Sequence, residues 1–434
     1  MPSGPQVVAR DQHCISRKDI SDNALKVLYR LKNAGFEAYL VGGGVRDLLL
    51  GGHPKDFDIA TNAHPEEVKE LFRNSRLIGR RFRLVHVLYG REMIEVATFR
   101  AAPQDATHTQ HQQSETGQLL KDNVYGNLNE DALRRDFTIN ALYYSIEDFS
   151  VRDFANGLND LKARQIQLIG DPESRYREDP VRMLRALRFA AKLRFEIAPE
   201  TAAPIYKLGD LLDHIPSARL FDESQKIFTS GHSEACWKLL QSYGLSAHLF
   251  PLIAAQASKG SSIYSEHLIR QAMCNTDERI QEGKHIAPSF LFAVLLWHPV
   301  NDKMKAFQNE GLPQVPALHK AAQAVLEQQT RIISIPRRFT TAMREMWELQ
   351  FKLGRRHGTR AERLISHPRF RAAYDFLLLR EQSGEIQPGL GEWWTQYQTA
   401  DEEARKKLVS ELSPNQPGAK KRRRPRKKPT KPQD

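Results

Sequence analysis

An α+β chain is expected from three observations on the sequence. Runs of strand length, apolar or alternating, fall in the first third: Phe36–Val41, Lys55–Ala60, Leu84–Tyr89 and Met93–Phe99. Helical spacing of apolar residues then continues from Pro199 to Glu327 and again over 331–380. From Pro414 onward the chain is basic and of low complexity, which cannot bury a core and predicts a disordered tail.

In order, Ser21–Ala34 places Leu25, Leu28, Tyr29 and Leu31 at helical spacing, with Ser21 to cap its start and Gly35 its end. Phe36–Val41 is the first strand, followed by three glycines and a brief helix over Val45–Leu50. Gly51, Gly52 and Pro54 break the chain before the strand Lys55–Ala60. Asn62–Pro65 turns into a helix over Glu66–Phe72, and Gly90 joins the next two strands. Ala101–Asp122, rich in Gln, His, Thr and Ser, reads as a flexible loop. His108 and His111 within it lack a third partner for a metal. Asp131–Tyr144 reads as one helix with Leu133, Phe137, Ala141 and Tyr144 on its apolar face. Val151–Phe154 is a short strand, and Gly157–Arg164 leads into Ile166–Ile169. Asp179 and Pro180 form the start of a helix running to Leu193. Arg219 and Glu223 are spaced as an i,i+4 pair, and the aromatics of 331–380 read mostly as core.

The stretch Leu40–Thr61, LVGGGVRDLLLGGHPKDFDIAT, carries the chemistry. Residues two apart on a strand share a face, so Asp56 and Asp58 point one way while Phe57 and Ile59 enter the core. Two carboxylates so close repel, and such a pair commonly marks a divalent cation. Glycines before them let a polyphosphate approach the backbone. No Gly-Lys-Ser/Thr follows, which excludes a P-loop, and no G-x-G-x-x-G opens a long helix. Glu95, on a strand expected to be largely buried, is either hydrogen-bonded structure or a further metal-site acid. Arg134, Arg135 and Asp136 can grip phosphate, metal or ribose, or form surface ion pairs. Arg182, Arg185 and Arg188 lie three apart and can meet a base edge, phosphates or an intrahelical salt-bridge ladder.

The chain has 434 residues, 40% hydrophobic and 27% charged, enough for two to four domains. Its longest apolar run, Phe290–Trp297, is too short to span a bilayer. Met1–Arg10 has no signal-peptide pattern, and Cys14, Cys236 and Cys274 lack metal-ligand spacing; a reducing, cytoplasmic setting is expected. The net charge of +12 is uneven: 331–380 and 414–434 each hold +8, leaving −4 elsewhere. Such a basic C-terminal third suits a polyanion, most simply nucleic acid. No histidine precedes an aspartate, which argues against a metal phosphohydrolase built on that pair.

Taken together, GGGVRD, DFD, RRDFTINAL and EDPVRMLRALRFA resemble the nucleotidyltransferases that include bacterial poly(A) polymerases and CCA-adding tRNA nucleotidyltransferases. The resemblance is strong over 20–223 and looser beyond. Leu77–Gly90 (LIGRRFRLVHVLYG), the polar loop and the Arg/Lys-rich end are similar to the poly(A) polymerase I family rather than to CCA-adding enzymes. This resemblance implies a head with a small mixed sheet (20–150) after an N-terminal extension (1–19), a helical neck (151–213), a body (214–330), a basic helical RNA-binding domain (331–410) and a tail (411–434).

It further implies that Asp56 and Asp58 hold two Mg²⁺ ions, with Mn²⁺ as the alternative, and that Asp136 or Glu95 is the third acid. ATP is the substrate. Gly42, Gly43, Arg46 and Asp47 would cradle its triphosphate with Arg135, while Asp179 and Arg182, with Arg185 nearby, would read adenine. Arg337, Arg338, Arg355, Arg356, Arg422, Arg423 and Arg424 are candidates for RNA contact. The expected reaction is polyadenylation of RNA 3′ ends, on mRNA, small RNAs or decay intermediates, with RNA-decay machinery or an RNA chaperone as partner. CCA addition and a non-catalytic RNA-binding adaptor are the alternatives. An oligoribonucleotide assay with each NTP separately distinguishes them.

Overall fold

The computed structural model describes residues 4–79, 83–101, 111–113, 119–122, 124–257 and 263–412. Among them the strands are β1 (Gln6–Val8), β2 (Ala38–Val41), β3 (Asp58–Thr61), β4 (Ser75–Ile78), β5 (Leu84–Tyr89), β6 (Glu92–Thr98), β7 (His111–Gln113), β8 (Leu119–Asp122), β9 (Leu142–Ser145), β10 (Val151–Asp153) and the short parallel pair β11 (Gln165–Ile166) and β12 (Glu196–Ile197). Eight of the described strands form one mixed sheet in the order β1-β10-β9-β2-β3-β6-β5-β4. Its pairings are antiparallel except that of β3 with β6, where Asp58 lies opposite Glu95.

That register fixes the two faces. On one, Leu40, Ile59 and Val96 are buried, and helices α1 (Asp22–Asn33) and α3 (Pro65–Leu71) pack against the sheet. Alternation sends Tyr39, Val41, Asp58, Ala60 and Glu95 to the other. There Tyr39, Val41, Ala60, Phe99 and Tyr143 form an apolar cluster with Ala132. The expected cap of α1 is present: Ser21 Oγ accepts from Ala24 N at 3.0 Å, and Gly35 follows in the left-handed region at φ 90°. Helices α2 (Gly43–Leu49), α4 (Leu128–Arg134), α5 (Gly157–Ala163), α6 (Pro172–Glu178), α7 (Val181–Leu193), α8 (Pro199–Ala202), α9 (Ile205–Leu208) and α10 (Ser217–Phe228) complete the region around the sheet.

Four local expectations are corrected. Asp131–Tyr144 is not one helix: α4 ends at Arg134, a 3₁₀ turn spans Thr138–Asn140, and Leu142–Ser145 becomes β9. The slot between β2 and β10 buries every residue of β9. A run apolar on both faces has no period of two and imitates a helix. The expected loop Ala101–Asp122 contains β7 and β8, paired antiparallel; His108 lies outside the described residues. Strand β3 begins at Asp58, so Asp56 precedes the ladder, yet the exposed–buried alternation over Asp56, Phe57, Asp58 and Ile59 is kept. Arg219 and Glu223 do not pair with each other; each takes a partner on another element, described below.

Two compact units divide the chain. The first comprises Met1–Ser258, Met273–Ile286 and Glu327–Ile335; the second comprises Lys259–Ala272, Ala287–Leu326 and Pro336–Asp434. The second is helical among its described residues. Leu349, Leu353, Phe370, Tyr374, Leu377, Trp394 and Tyr397 form a buried cluster there, so several of its aromatics are core, as expected. Among the described residues, no helix is long and apolar enough to cross a membrane.

Candidate active site

The glycine turn between β2 and α2 sets the geometry. Gly42 has φ 73° and ψ −138°, a backbone region open to glycine. A Cβ there would lie 3.7 Å from Arg135 Nη1 and 3.8 Å from Asp58 Oδ2. The turn therefore runs with a guanidinium on one side and a carboxylate on the other. At Gly43 an added Cβ would meet Arg46 Nη2 at 3.3 Å.

Asp58 is recessed against β6 while remaining reachable from solvent. Desolvation in that recess, then the negative charges of Glu95 and Asp56, push its carboxyl up to about 6; Arg135 pulls the other way. Glu95 is not largely buried as expected. The Glu95 side chain is about 40% exposed, with His86 Nε2 of β5 3.6 Å from its carboxylate. Three carboxylates thus converge with Arg135 as the cation that acts on Asp58.

A divalent ion fits this donor set. Its oxygens are hard, and the burial of Asp58 together with the nearby charges of Glu95 and Asp56, which raise its carboxyl, is a cost that a cation relieves. Among the described residues, no group of three or more His, Cys, Asp or Glu side chains is arranged to hold a metal by itself.

Arg135 is held from behind. Its Nε donates to Tyr143 Oη at 2.7 Å and its Nη2 to Asp131 Oδ2 at 3.0 Å, while Tyr143 Oη donates to the same carboxylate oxygen at 2.6 Å. These partners keep Arg135 charged against the cost of burial. Arg175 on α6 donates to the carbonyls of Arg134 and Arg135 at 2.5 and 2.7 Å, fixing the chain where α4 stops.

Asp136 is placed elsewhere than a metal-binding third acid. Its Oδ2 accepts from Arg185 Nη2 at 2.6 Å and Nε at 2.7 Å, and its Oδ1 from Phe137 N at 2.8 Å and Asn140 Nδ2 at 3.2 Å. Burial opposes its charge, but Arg185 and these donors outweigh that and hold it at about 2. Of the two candidates for third acid, only Glu95 acts on Asp58.

Arg46 does not face a triphosphate. It is 2% exposed, donates to Asp47 Oδ1 at 2.6 and 2.8 Å and to Asn140 Oδ1 at 2.7 Å, and lies over the Phe189 ring at 5.2 Å. Asp47 is closed on its other side by Lys192 Nζ at 3.3 Å. Both belong to the joint between α2 and α7.

The cap expected at Asp179 is displaced: α7 begins at Val181 with Pro180 at its N-cap and no side-chain cap bond, while Asp179 is extended at the end of α6 and its Oδ1 accepts from Val181 N, two residues on, at 3.3 Å. Its Oδ2 accepts from Arg219 Nη2 of α10 at 2.5 Å. Arg182 Nη1 donates to Glu178 Oε2 at 3.0 Å and to the Arg175 carbonyl at 2.7 Å, and Arg188 Nε donates to Glu223 Oε1 at 2.8 Å. No ladder forms within α7: Arg182, Arg185 and Arg188 each reach another element.

Sequence reasoning missed Asp131, Tyr143, Arg175, Glu178 and Arg219 as members of the site. Arg175 and Arg219 meet partners about 40 residues away, a tertiary signal, whereas Asp131 and Glu178 stand four residues before Arg135 and Arg182, a spacing visible in the sequence, and Tyr143 lies eight residues from Arg135. Arg422, Arg423 and Arg424 lie outside the described residues, and Arg337 and Arg338 begin the helix Arg337–Lys352 of the second unit.

Residues 38–167 match a family model described as the poly A polymerase head domain, 194–256 one described as a probable RNA and SrmB-binding site of polymerase A, and 310–428 one described as the polymerase A arginine-rich C-terminus. Poly(A) polymerase I of Escherichia coli O157:H7 is 51% identical over 97% of this chain and 92% of its own length. The CCA-adding enzyme of Lactobacillus helveticus is 42% identical over only 51% of this chain and 53% of its own. In structure, the Bacillus stearothermophilus CCA-adding enzyme in complex with CTP aligns with a TM-score of 0.57 at 25% identity, covering 89% of this chain and 82% of that one. The chain belongs to the bacterial poly(A) polymerase family.

Proposed function

We propose that this chain carries out template-independent polyadenylation of RNA 3′ ends at the turn between Gly42 and Asp58. The RNA 3′-oxygen bonds to the α-phosphorus of ATP, the α–β phosphoanhydride breaks, pyrophosphate leaves, and the hydroxyl proton passes to solvent. Asp56 and Asp58, with Glu95 beside them, would hold two Mg²⁺ ions, which would supply acidity to the 3′-hydroxyl and charge neutralisation to the pyrophosphate. Gly42 gives the phosphates room, and Arg135, oriented by Asp131 and Tyr143, takes a phosphate oxygen. Asp179 and Arg182 border the base; their pairs with Arg219 and Glu178 hold them in set rotamers, which favours one base shape.

The observation that carries this reading is geometric: Asp58 lies opposite Glu95 in the β3–β6 pairing, and both Asp58 and Arg135 flank the glycine turn at Gly42. RNA is the substrate class supported by the family, and the three free cysteines accord with the cytoplasm as the place of action. RNA-decay machinery or an RNA chaperone remains the proposed protein partner.

Purified protein given Mg²⁺, an oligoribonucleotide and each NTP in turn should extend it with ATP into long tracts. Growth that stops after three nucleotides on tRNA and needs CTP would overturn the proposal in favour of CCA addition.

A further inference from the structure

The 3₁₀ turn Thr138–Asn140 stands between two elements of the first unit that border opposite ends of the proposed nucleotide. It is anchored independently of both. Phe137 and Ile139 are fully buried, and Thr138 Oγ1 donates to Asp160 Oδ2 of α5 at 2.6 Å. On one side of the turn lies α2, which starts directly after Gly42. On the other lies α7, which starts just beyond Asp179.

The side chain of Asn140, a residue only 6% exposed, joins the two. Its Oδ1 accepts from Arg46 Nη1 of α2 at 2.7 Å, and its Nδ2 donates to Asp136 Oδ1 at 3.2 Å. Asp136 Oδ2 in turn accepts from Arg185 of α7 at 2.6 and 2.7 Å. A continuous chain of hydrogen bonds, Arg46–Asn140–Asp136–Arg185, therefore crosses from α2 to α7. The guanidiniums at its two ends each lie 5.2 Å from the Phe189 ring.

The neighbours decide which way round the amide sits. Arg46 can only donate and an ionised Asp136 can only accept, so Oδ1 must face the first and Nδ2 the second. A carboxylate in place of the amide would face Asp136 with like charge. A leucine of the same shape would leave both neighbours without their bonds. The parallel link between α2 and α7, Asp47 to Lys192, is 38% exposed on the lysine side and so holds the two elements more weakly.

We propose that Asn140 is a positioning residue for nucleotide addition: it sets the spacing between the glycine turn and the start of α7, and with it the choice of ATP over other nucleoside triphosphates. It acts through Arg46 and Asp136. A nucleotide held at its phosphates by one element and bordered at its base by another is discriminated only while the span between them is fixed. Once α7 can shift, a smaller pyrimidine is disfavoured less. The inference rests on the adenylyl transfer proposed above.

The test follows incorporation of each NTP onto an oligoribonucleotide by the full chain, with thermal melting as the check on folding. Asn140→Leu should lower kcat with ATP roughly thirtyfold while KM for ATP stays within about threefold, the mark of lost orientation and not of lost binding. Discrimination between ATP and CTP, taken as the ratio of their kcat/KM values, should fall about tenfold. Asn140→Asp keeps an acceptor for Arg46 and breaks only the step to Asp136, so it should lose discrimination to a similar degree, and it decides the matter where the leucine variant folds poorly. Adding Arg46→Gln to Asn140→Leu should leave the ATP to CTP ratio where the leucine variant puts it, because both cut one chain; effects that multiply would overturn the relay. A merely structural amide would slow every NTP alike. An unchanged ATP to CTP ratio in a variant that melts as the wild type does would therefore overturn the proposal. A wild type without preference for ATP would refute the functional reading instead.

Discussion

The sheet face at β3 and the arginine-lined start of α7 are both dense in charge, and they treat it oppositely. Around α7, each acid has basic partners: Asp136 has Arg185, Glu178 has Arg182 and Arg175, Asp179 has Arg219, and Glu223 has Arg188 and Lys226. At β3, carboxylates stand together, and Asp58 is driven up to about 6 where Asp136 is held at about 2. A fold that settles its charges internally is building structure; a fold that leaves like charges facing one another is prepared for a ligand of opposite sign.

The largest expected effect breaks the comparison on the catalytic side. Asp58→Ala should lower AMP incorporation by ~10³-fold or more, since an ion worth several kcal/mol to the transition state loses its ligand. RNA affinity should stay near wild type; persistence of incorporation would remove Asp58 from the mechanism. Next, Asp136→Asn should destabilise the chain by roughly 2–4 kcal/mol in urea unfolding, because Arg185 is left largely buried without its partner. A change below half a kcal/mol would place that pair among the ornamental ones.

The two aspartates should also respond to pH with opposite sign. Asp136, depressed on folding, contributes about 2 kcal/mol that is present above its unfolded value near 4 and is lost as pH falls toward 2. Asp58, raised on folding, does the reverse: in ion-free buffer, stability falls as pH rises from about 4 to about 6. Solvent screening limits that loss to about 1 kcal/mol. Asp58→Asn should abolish the loss, and Mg²⁺ should raise the melting temperature of the wild type more than that of the variant. Equal Mg²⁺ shifts would show the ion binding elsewhere. The smallest effect sharpens the same contrast at the surface. Lys192→Ala, which frees Asp47 from a pair 38% exposed on the lysine side, should cost about 0.5 kcal/mol.

What could be read in advance follows from distance along the chain. The cap at Ser21, the glycine turn and the exposed–buried alternation over Asp56, Phe57, Asp58 and Ile59 are local patterns, and each appears where the spacing places it. Leu142–Ser145 was illegible because strand neighbours on both sides bury all of it and erase the alternation. Arg46 looked like a phosphate ligand beside glycines, but Asn140, 94 residues away, and Phe189 turn it inward. Arg219 was matched to Glu223 by helical spacing, whereas Asp179 lies closer in space. Single-sequence periodicity sees one helix at a time, and these pairings join two.

The parallel pairing of β3 with β6 also bears on how the protein is made. The two strands are joined by a crossover containing α3, β4 and β5, so Asp58 gains Glu95 as its neighbour only when the ribosome has delivered the whole excursion. A nascent chain halted before β6 therefore has two of its three acids and no finished pocket, and a prematurely terminated product would be inert toward nucleotides instead of adding adenylates unsupervised.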